Sequence, residues 1–220
     1  MIKEKREKLL SEWPFEKIVT TEEELRHVIG TPSKVANQKV ISYLDHHCRS
    51  FLALSPFVII STANNSGSCD ASPRGDQPGF VHVIDDQHLI IPERPGNRRV
   101  DSLTNIMKNP HIGLLFMIPG LGETLRVNGK ACVTTDERLL TEMAVNDNIP
   151  SLGIGVKVEE CFIHCAKAFI RSSLWKPTSW LDKKHVPSAS RILKDHVKDN
   201  EMTENDMAKL LKESYEKRLY

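Results

Sequence analysis

Beyond residue 56 the chain breaks into short apolar runs closed by turn-forming residues, and that rhythm restricts the fold to antiparallel β architectures. Residues 57–63 predict a strand, Asn64-Asn65-Ser66-Gly67 a turn that tolerates positive φ, and residues 68–71 a returning strand. A loop rich in breakers follows, Ser72-Pro73-Arg74-Gly75-Asp76-Gln77-Pro78-Gly79. Residues 80–84 and 88–91 read as a hairpin around Asp85-Asp86. A helix is expected over 98–108, strands over 111–118 and 124–134, and a short helix capped by Asp136 through Ala144. Residues 156–170 read as one long β-rich stretch. Many short strands and few helices argue for a mainly β, α+β barrel or sandwich and against a doubly wound sheet.

The flanks have a different texture. Residues 1–54 read as a helical segment. Thr20 with Glu23 has the spacing of a capping box, and Ser33 can cap a longer helix ended by Pro56. Residues 55–182 form the expected central domain. Residues 183–220 are polar and charged, with Thr203 and Asp206 at a helix start and Met207, Leu210, Leu211 and Tyr215 as one apolar stripe. That tail is expected to pack on the domain or on a partner subunit.

Charge narrows the function classes. With 30 Lys and Arg against 29 Asp and Glu, the chain lacks the basic excess of a dedicated nucleic-acid binder. No apolar run approaches membrane-spanning length, and the charged opening Met1–Lys8 lacks the apolar core of a secretory signal. The 5 cysteines form no CxxC pair, which suits a reduced, cytoplasmic setting. On a strand, Cys161 and Cys165 share one face and His164 takes the other, so two sulfurs stand without a third ligand. They read as buried structural thiols, with no metal expected. Asp45-His46-His47-Cys48 reads as a helix surface plus one core position.

The most informative segment is Pro92-Glu93-Arg94-Pro95-Gly96-Asn97-Arg98-Arg99-Val100-Asp101-Ser102-Leu103. Pro95-Gly96 makes a turn, Asn97 is a good N-cap, and Asn109-Pro110 stops the helix. Two arginines in a first turn are unfavourable unless an anion lies among them, because the helix N-terminus already carries positive charge. A phosphate ester would suit the planar guanidinium forks. Pairing with Glu93, Asp101 or Asp76 at the surface is the competing reading.

The order of strand, turn, Gly96-Asn97-Arg98-Arg99, helix, Asn109-Pro110 and the strand His111-Ile112-Gly113-Leu114-Leu115-Phe116 resembles the pyridoxamine 5′-phosphate oxidase-like FMN-binding split barrels. The strand ending Gly129-Lys130-Ala131 extends the resemblance, which covers about residues 50–180. Ser72-Pro73-Arg74-Gly75-Asp76 and 123–129, Glu-Thr-Leu-Arg-Val-Asn-Gly, narrow it to a branch of FMN-dependent proteins without a defined substrate.

The resemblance implies a Greek-key-like split barrel with flanking helices, acting as a homodimeric FMN-dependent oxidoreductase on a small molecule. It implies that Arg98 and Arg99 hold the FMN phosphate, with Asn97 completing the nest. Arg74 is either a further phosphate or ribityl contact or an exposed loop arginine. Phe80, Val81 and His82 match the strand whose backbone follows the isoalloxazine edge. In the family's oxidase a lysine stands near the position of His82, a departure that argues against pyridoxamine phosphate as substrate; as a lone histidine on a strand, His82 is read as structural rather than catalytic. Leu125 and Arg126 match a strand that reaches into the other subunit's site. Arg171 and Trp175 resemble the late arginine and tryptophan that cover the flavin, core packing being the alternative for Trp175. A deazaflavin in place of FMN, a flavin or haem carrier without turnover, and a scaffold with a vestigial site are the rivals.

Overall fold

A computed structural model describes residues 12–198 and 201–220. The segment Met1–Lys8 lies outside them. Two compact units part between Lys39 and Val40. The first contains α1 (Glu22–Ile29) and α2 (Lys34–Gln38). The cap of α1 is Thr21, whose side chain accepts from the Glu24 N–H, one residue later than the Thr20–Glu23 spacing predicts. Thr20 instead donates its backbone N–H to the Glu24 carboxylate at 2.9 Å. Ser33 caps α2 as expected, but that helix ends at Gln38.

In the second unit Ile41 is captured in a short antiparallel bridge with Cys161, and Asp45 starts a fresh helix, α3 (His46–Leu54). Two β-branched residues followed by a capping aspartate divide what the periodicity reads as one helix. The helical stretch 1–54 is thus shared between the two units. Leu44, Cys48 and Leu52 belong to the core of the second, and His46 and His47 are exposed.

Seven strands form one antiparallel sheet in the order β2-β1-β5-β6-β7-β4-β3. They are β1 (Phe57–Ala63), β2 (Cys69–Gly75), β3 (His82–Val83), β4 (His88–Pro92), β5 (His111–Met117), β6 (Thr124–Thr134) and β7 (Gly153–His164). This is the expected mainly β, split-barrel type of α+β fold. Val58, Ile60, Leu114, Phe116, Val127, Ile154 and Val156 alternate inward to fill the core. β2 runs four residues beyond its expected end, so Arg74 lies on a strand and not in a loop. Pro73 sits within β2, which is an edge strand, and the missing N–H therefore interrupts little.

The helix before β5 starts three residues late. It is α4 (Asp101–Lys108), with Val100 as N-cap in place of Asn97. Asn97 Oδ1 accepts the Arg99 N–H at 3.0 Å, a local turn that competes with helix and leaves Arg98 at φ 60° and Val100 at φ 54°. Asp136 caps α5 (Glu137–Glu142) as its type predicts. The long β-rich reading of 156–170 fails at its end: β7 stops at His164, and α6 (Lys167–Ser172) holds Ile170 and Arg171. Lys167, Ala168 and Phe169 sit in that helix without a strand partner to hold them extended.

In the tail, α7 (Ala189–Val197) precedes α8 (Glu204–Lys217), which opens with a capping box between Thr203 and Asp206. Of the expected apolar stripe Met207 is buried, Leu211 half-buried, and Leu210 and Tyr215 exposed. Among the described residues no helix is long and apolar enough to cross a membrane.

Candidate functional site

The two ends of the sheet meet through charge. Arg74 Nε on β2 donates to Glu93 Oε2, just past β4, at 3.1 Å, and its Nη1 bonds Ser72 Oγ and the Pro73 carbonyl. One step on, the polarity reverses: Arg94 Nε donates to Asp76 Oδ2 at 2.6 Å, and Arg94 Nη2 donates to the Met143 carbonyl at 2.9 Å. The Asp76 side chain is 1% exposed and that of Arg94 14%. From the sequence Asp76 is only one of several surface partners, and Arg94 carries no expected role. No local signal links residues 18 positions apart; only sheet closure brings them together.

The chain then leaves this closure and enters the turn before α4. Val100 has no side-chain cap bond to offer the helix, so the first-turn N–H groups face a corner flanked by Arg98 and Arg99. Both arginines are exposed. Arg99 Nε bonds Asp101 Oδ2 at 2.8 Å, and that contact raises its pKa. Arg98 has no ion pair among the described residues. The surface pairing expected as the alternative therefore holds for Arg99 alone. The corner is fixed from below: Ser102 Oγ donates to Asp70, and Asn105 Nδ2 donates to Thr62 Oγ1 at 3.1 Å, tying α4 to β2 and β1.

Phe80 and His82 line a 180 Å³ cavity with Asp76, Arg94, Glu142 and Met143. His82 Nε2 is 3.4 Å from Glu142 Oε2. Val81 is buried in the core, so only its backbone is open to a ligand. β3 is the edge of the sheet, which leaves one side of its backbone without a strand partner.

A second cavity, of 340 Å³, is lined by Gly120, Gly122, Phe169, Ile170, Ser173 and Trp175 among others. Trp175 is neither on a strand end nor in the core. Its ring stacks on Phe169 with centroids 5.6 Å apart, and its Nε1 donates to the Leu121 carbonyl at 2.8 Å. Arg171 is exposed on the last turn of α6. On β6, Leu125 is 3% exposed and packs in the core, while Arg126 is exposed, bonds Asn128 Oδ1 at 3.1 Å and lies over the Phe162 ring.

The cysteines divide unevenly. Cys161 and Cys48 are buried with their sulfurs 3.3 Å apart, and the contact with Cys48 together with burial raises the Cys161 pKa. Cys165 is exposed, which corrects its reading as a buried thiol: the chain leaves β7 one residue earlier. Among the described residues no three His, Cys, Asp or Glu side chains are grouped to hold a metal.

The profile of the pyridoxamine 5′-phosphate oxidase family matches residues 44–165, more than half of the chain and all seven strands. The chain belongs to the pyridoxamine 5′-phosphate oxidase family. No curated protein matches it. Solved structures with a similar course include a candidate pyridoxamine 5′-phosphate oxidase from Lactobacillus delbrueckii, at 19% identity over 56% of this chain and 95% of that one, with a TM-score of 0.44. HupZ from Group A Streptococcus is 16% identical over 54% of this chain and 92% of its own, with a TM-score of 0.43. An FAD-binding protein from Mycobacterium smegmatis is 15% identical over 56% and 97%, with a TM-score of 0.39. Within the family region lie Arg74, Phe80, Val81, His82, Asn97, Arg98, Arg99, Leu125 and Arg126; Arg171 and Trp175 fall beyond it.

Proposed function

We propose that this chain binds FMN as a homodimer and acts as a cytoplasmic FMN-dependent oxidoreductase on a small molecule. The observation that carries the reading is the corner before α4. A helix start without a capping side chain, two positive-φ residues and an Arg98 without an ion pair among the described residues together form an anion site that no described carboxylate fills completely. A phosphate monoester matches it in charge and in the number of acceptor oxygens.

In this reading Arg98 and Arg99 clamp the phosphate, and the α4 amides together with Asn97 complete the nest. Arg74, committed to Glu93 and Ser72, joins only by exchanging Glu93 for the phosphate or ribityl chain. The backbone at Phe80 and Val81, which leads into β3, and the free side of β3 at His82 orient the ring edge, where an N–H donor favours negative charge. Arg126, Arg171, Trp175 and the backbone at Leu125 close the site from the second subunit, excluding water and neutralising charge. When bound, FMN supplies hydride or electron transfer, which no side chain here performs.

The test is an absorbance spectrum of the purified protein with cofactor extraction and mass analysis. A yellow protein releasing FMN, reducible by NADH or NADPH, is the expected result. Release of a deazaflavin replaces the cofactor while keeping the enzyme. A colourless protein that takes up no FMN ends the flavin reading.

A further inference from the structure

Tyr220 lies three residues beyond α8, a helix whose Met207 is buried and whose Glu204 Oε2 accepts from Arg191 Nε of α7 at 3.4 Å. Its hydroxyl donates to Asp76 Oδ1 at 2.8 Å, a bond that spans 144 positions of sequence. Its ring sits over the Arg94 guanidinium, 5.6 Å from centroid to Cζ. Asp76 thereby accepts on both oxygens: one takes Arg94, and the other takes the Gln77 N–H at 2.8 Å and the phenol. Both Asp76 and Arg94 line the 180 Å³ cavity that Phe80 and His82 also line.

We propose that Tyr220 is a latch on the rim of this cavity, closed by one hydrogen bond to a charged acceptor and one cation–π contact, and that its release sets how fast a ligand enters and leaves. Both contacts are of a strength that permits opening without unfolding the unit. The acceptor is the favourable one for a phenol: a nearly buried carboxylate held in place by its arginine cannot turn away. The bond to Asp76 also raises the Tyr220 pKa, keeping the proton the latch needs. What the latch admits rests on the flavin reading; the latch itself does not.

The experiment compares the full chain with Tyr220→Ala and Tyr220→Phe. Labelling of Arg94 by p-hydroxyphenylglyoxal is followed by peptide mass mapping, with the exposed Arg138 as internal reference. Arg94 labels several-fold faster in Tyr220→Ala and to an intermediate degree in Tyr220→Phe, while Arg138 is unchanged. Release of FMN in stopped flow quickens roughly tenfold in Tyr220→Ala, the weight of one such hydrogen bond. Equal Arg94 rates overturn the latch, as does faster labelling with unaltered FMN release. If the wild-type chain retains no FMN, the flavin reading fails by itself, and the Arg94 rates still decide whether Tyr220 covers the rim. Tyr220→Phe keeps the ring packed, so a loss of fold in Tyr220→Ala leaves the hydroxyl test standing.

Discussion

At the scale of residues, the corner before α4 separates two arginines that look equivalent in sequence. Arg99 is held by Asp101, whereas Arg98 is not paired among the described residues. Replacing Arg98 with Ala is therefore expected to weaken FMN binding more than the same change at Arg99. The double variant should lose at least two orders of magnitude, at about 1.5–3 kcal/mol per charge-assisted bond. A fluorescence titration reads the difference, and equal affinities in all three proteins would remove the pair from the site. Val100 beside them is a β-branched residue at φ 54° and is 47% exposed. Such a residue is strained there and gains little from burial. Val100→Gly should raise the unfolding free energy by about 1 kcal/mol in urea titration. A loss instead would mean that the side chain contributes packing that outweighs its backbone strain.

At the scale of elements, β6 and β7 are held in register by one bulge. Asn128 pairs with Glu160 and Gly129 with Val158, so one residue of β7 is skipped. A Cβ on Gly129 would lie 2.0 Å from the Lys157 carbonyl oxygen, which a side-chain rotation cannot relieve. Gly129→Ala is expected to cost about 3 kcal/mol or more, measured by urea unfolding, since the clash is with backbone of the central ladder. The helix α3 depends on its cap. Asp45 accepts the Cys48 N–H at 2.8 Å, and that bond lowers its pKa from the ordinary 3.8. Folding thus favours the ionised carboxyl. Its contribution is complete above the unfolded value and is lost as pH falls through the folded one. As pH falls below about 4 the wild type should lose stability more steeply than Asp45→Asn, which has no charge to lose. Parallel slopes in unfolding at several pH values would contradict this.

At the scale of the whole molecule, the proposed site is divided. The phosphate corner and the Phe80–His82 cavity adjoin the closure of the sheet, while Trp175 lines a separate cavity on the α6 side and Arg171 is exposed on the last turn of α6. Around that second cavity Ile170, Leu174, Trp180 and Leu181 are exposed, more apolar surface than a single chain needs to present. In ultracentrifugation the protein is expected to sediment as a dimer. Ile170→Asp should give monomers that lose FMN yet keep their far-ultraviolet spectrum. A monomeric wild type that binds FMN tightly would sink the two-subunit site.

What the sequence determined by itself was whatever a few neighbouring residues decide. Alternation placed six of the seven strands within a few residues of their ends. Capping side chains two or three residues from their targets marked Ser33, Asp136 and Thr203. The Gly-Asn-Arg-Arg turn was legible because its chemistry is local. Even there the helix starts later than Asn97 predicts, since Asn97 can bond the next turn as readily as cap a helix. Tertiary structure decided the rest: the extension of β2 through Pro73, the break before α3, the burial of Leu125, and the meeting of Arg74 with Glu93 and of Asp76 with Arg94 and Tyr220. Each of these depends on which strands become neighbours. A charge on an edge strand finds its partner only when the sheet curls until its two ends face one another, and no periodicity along the chain encodes that approach.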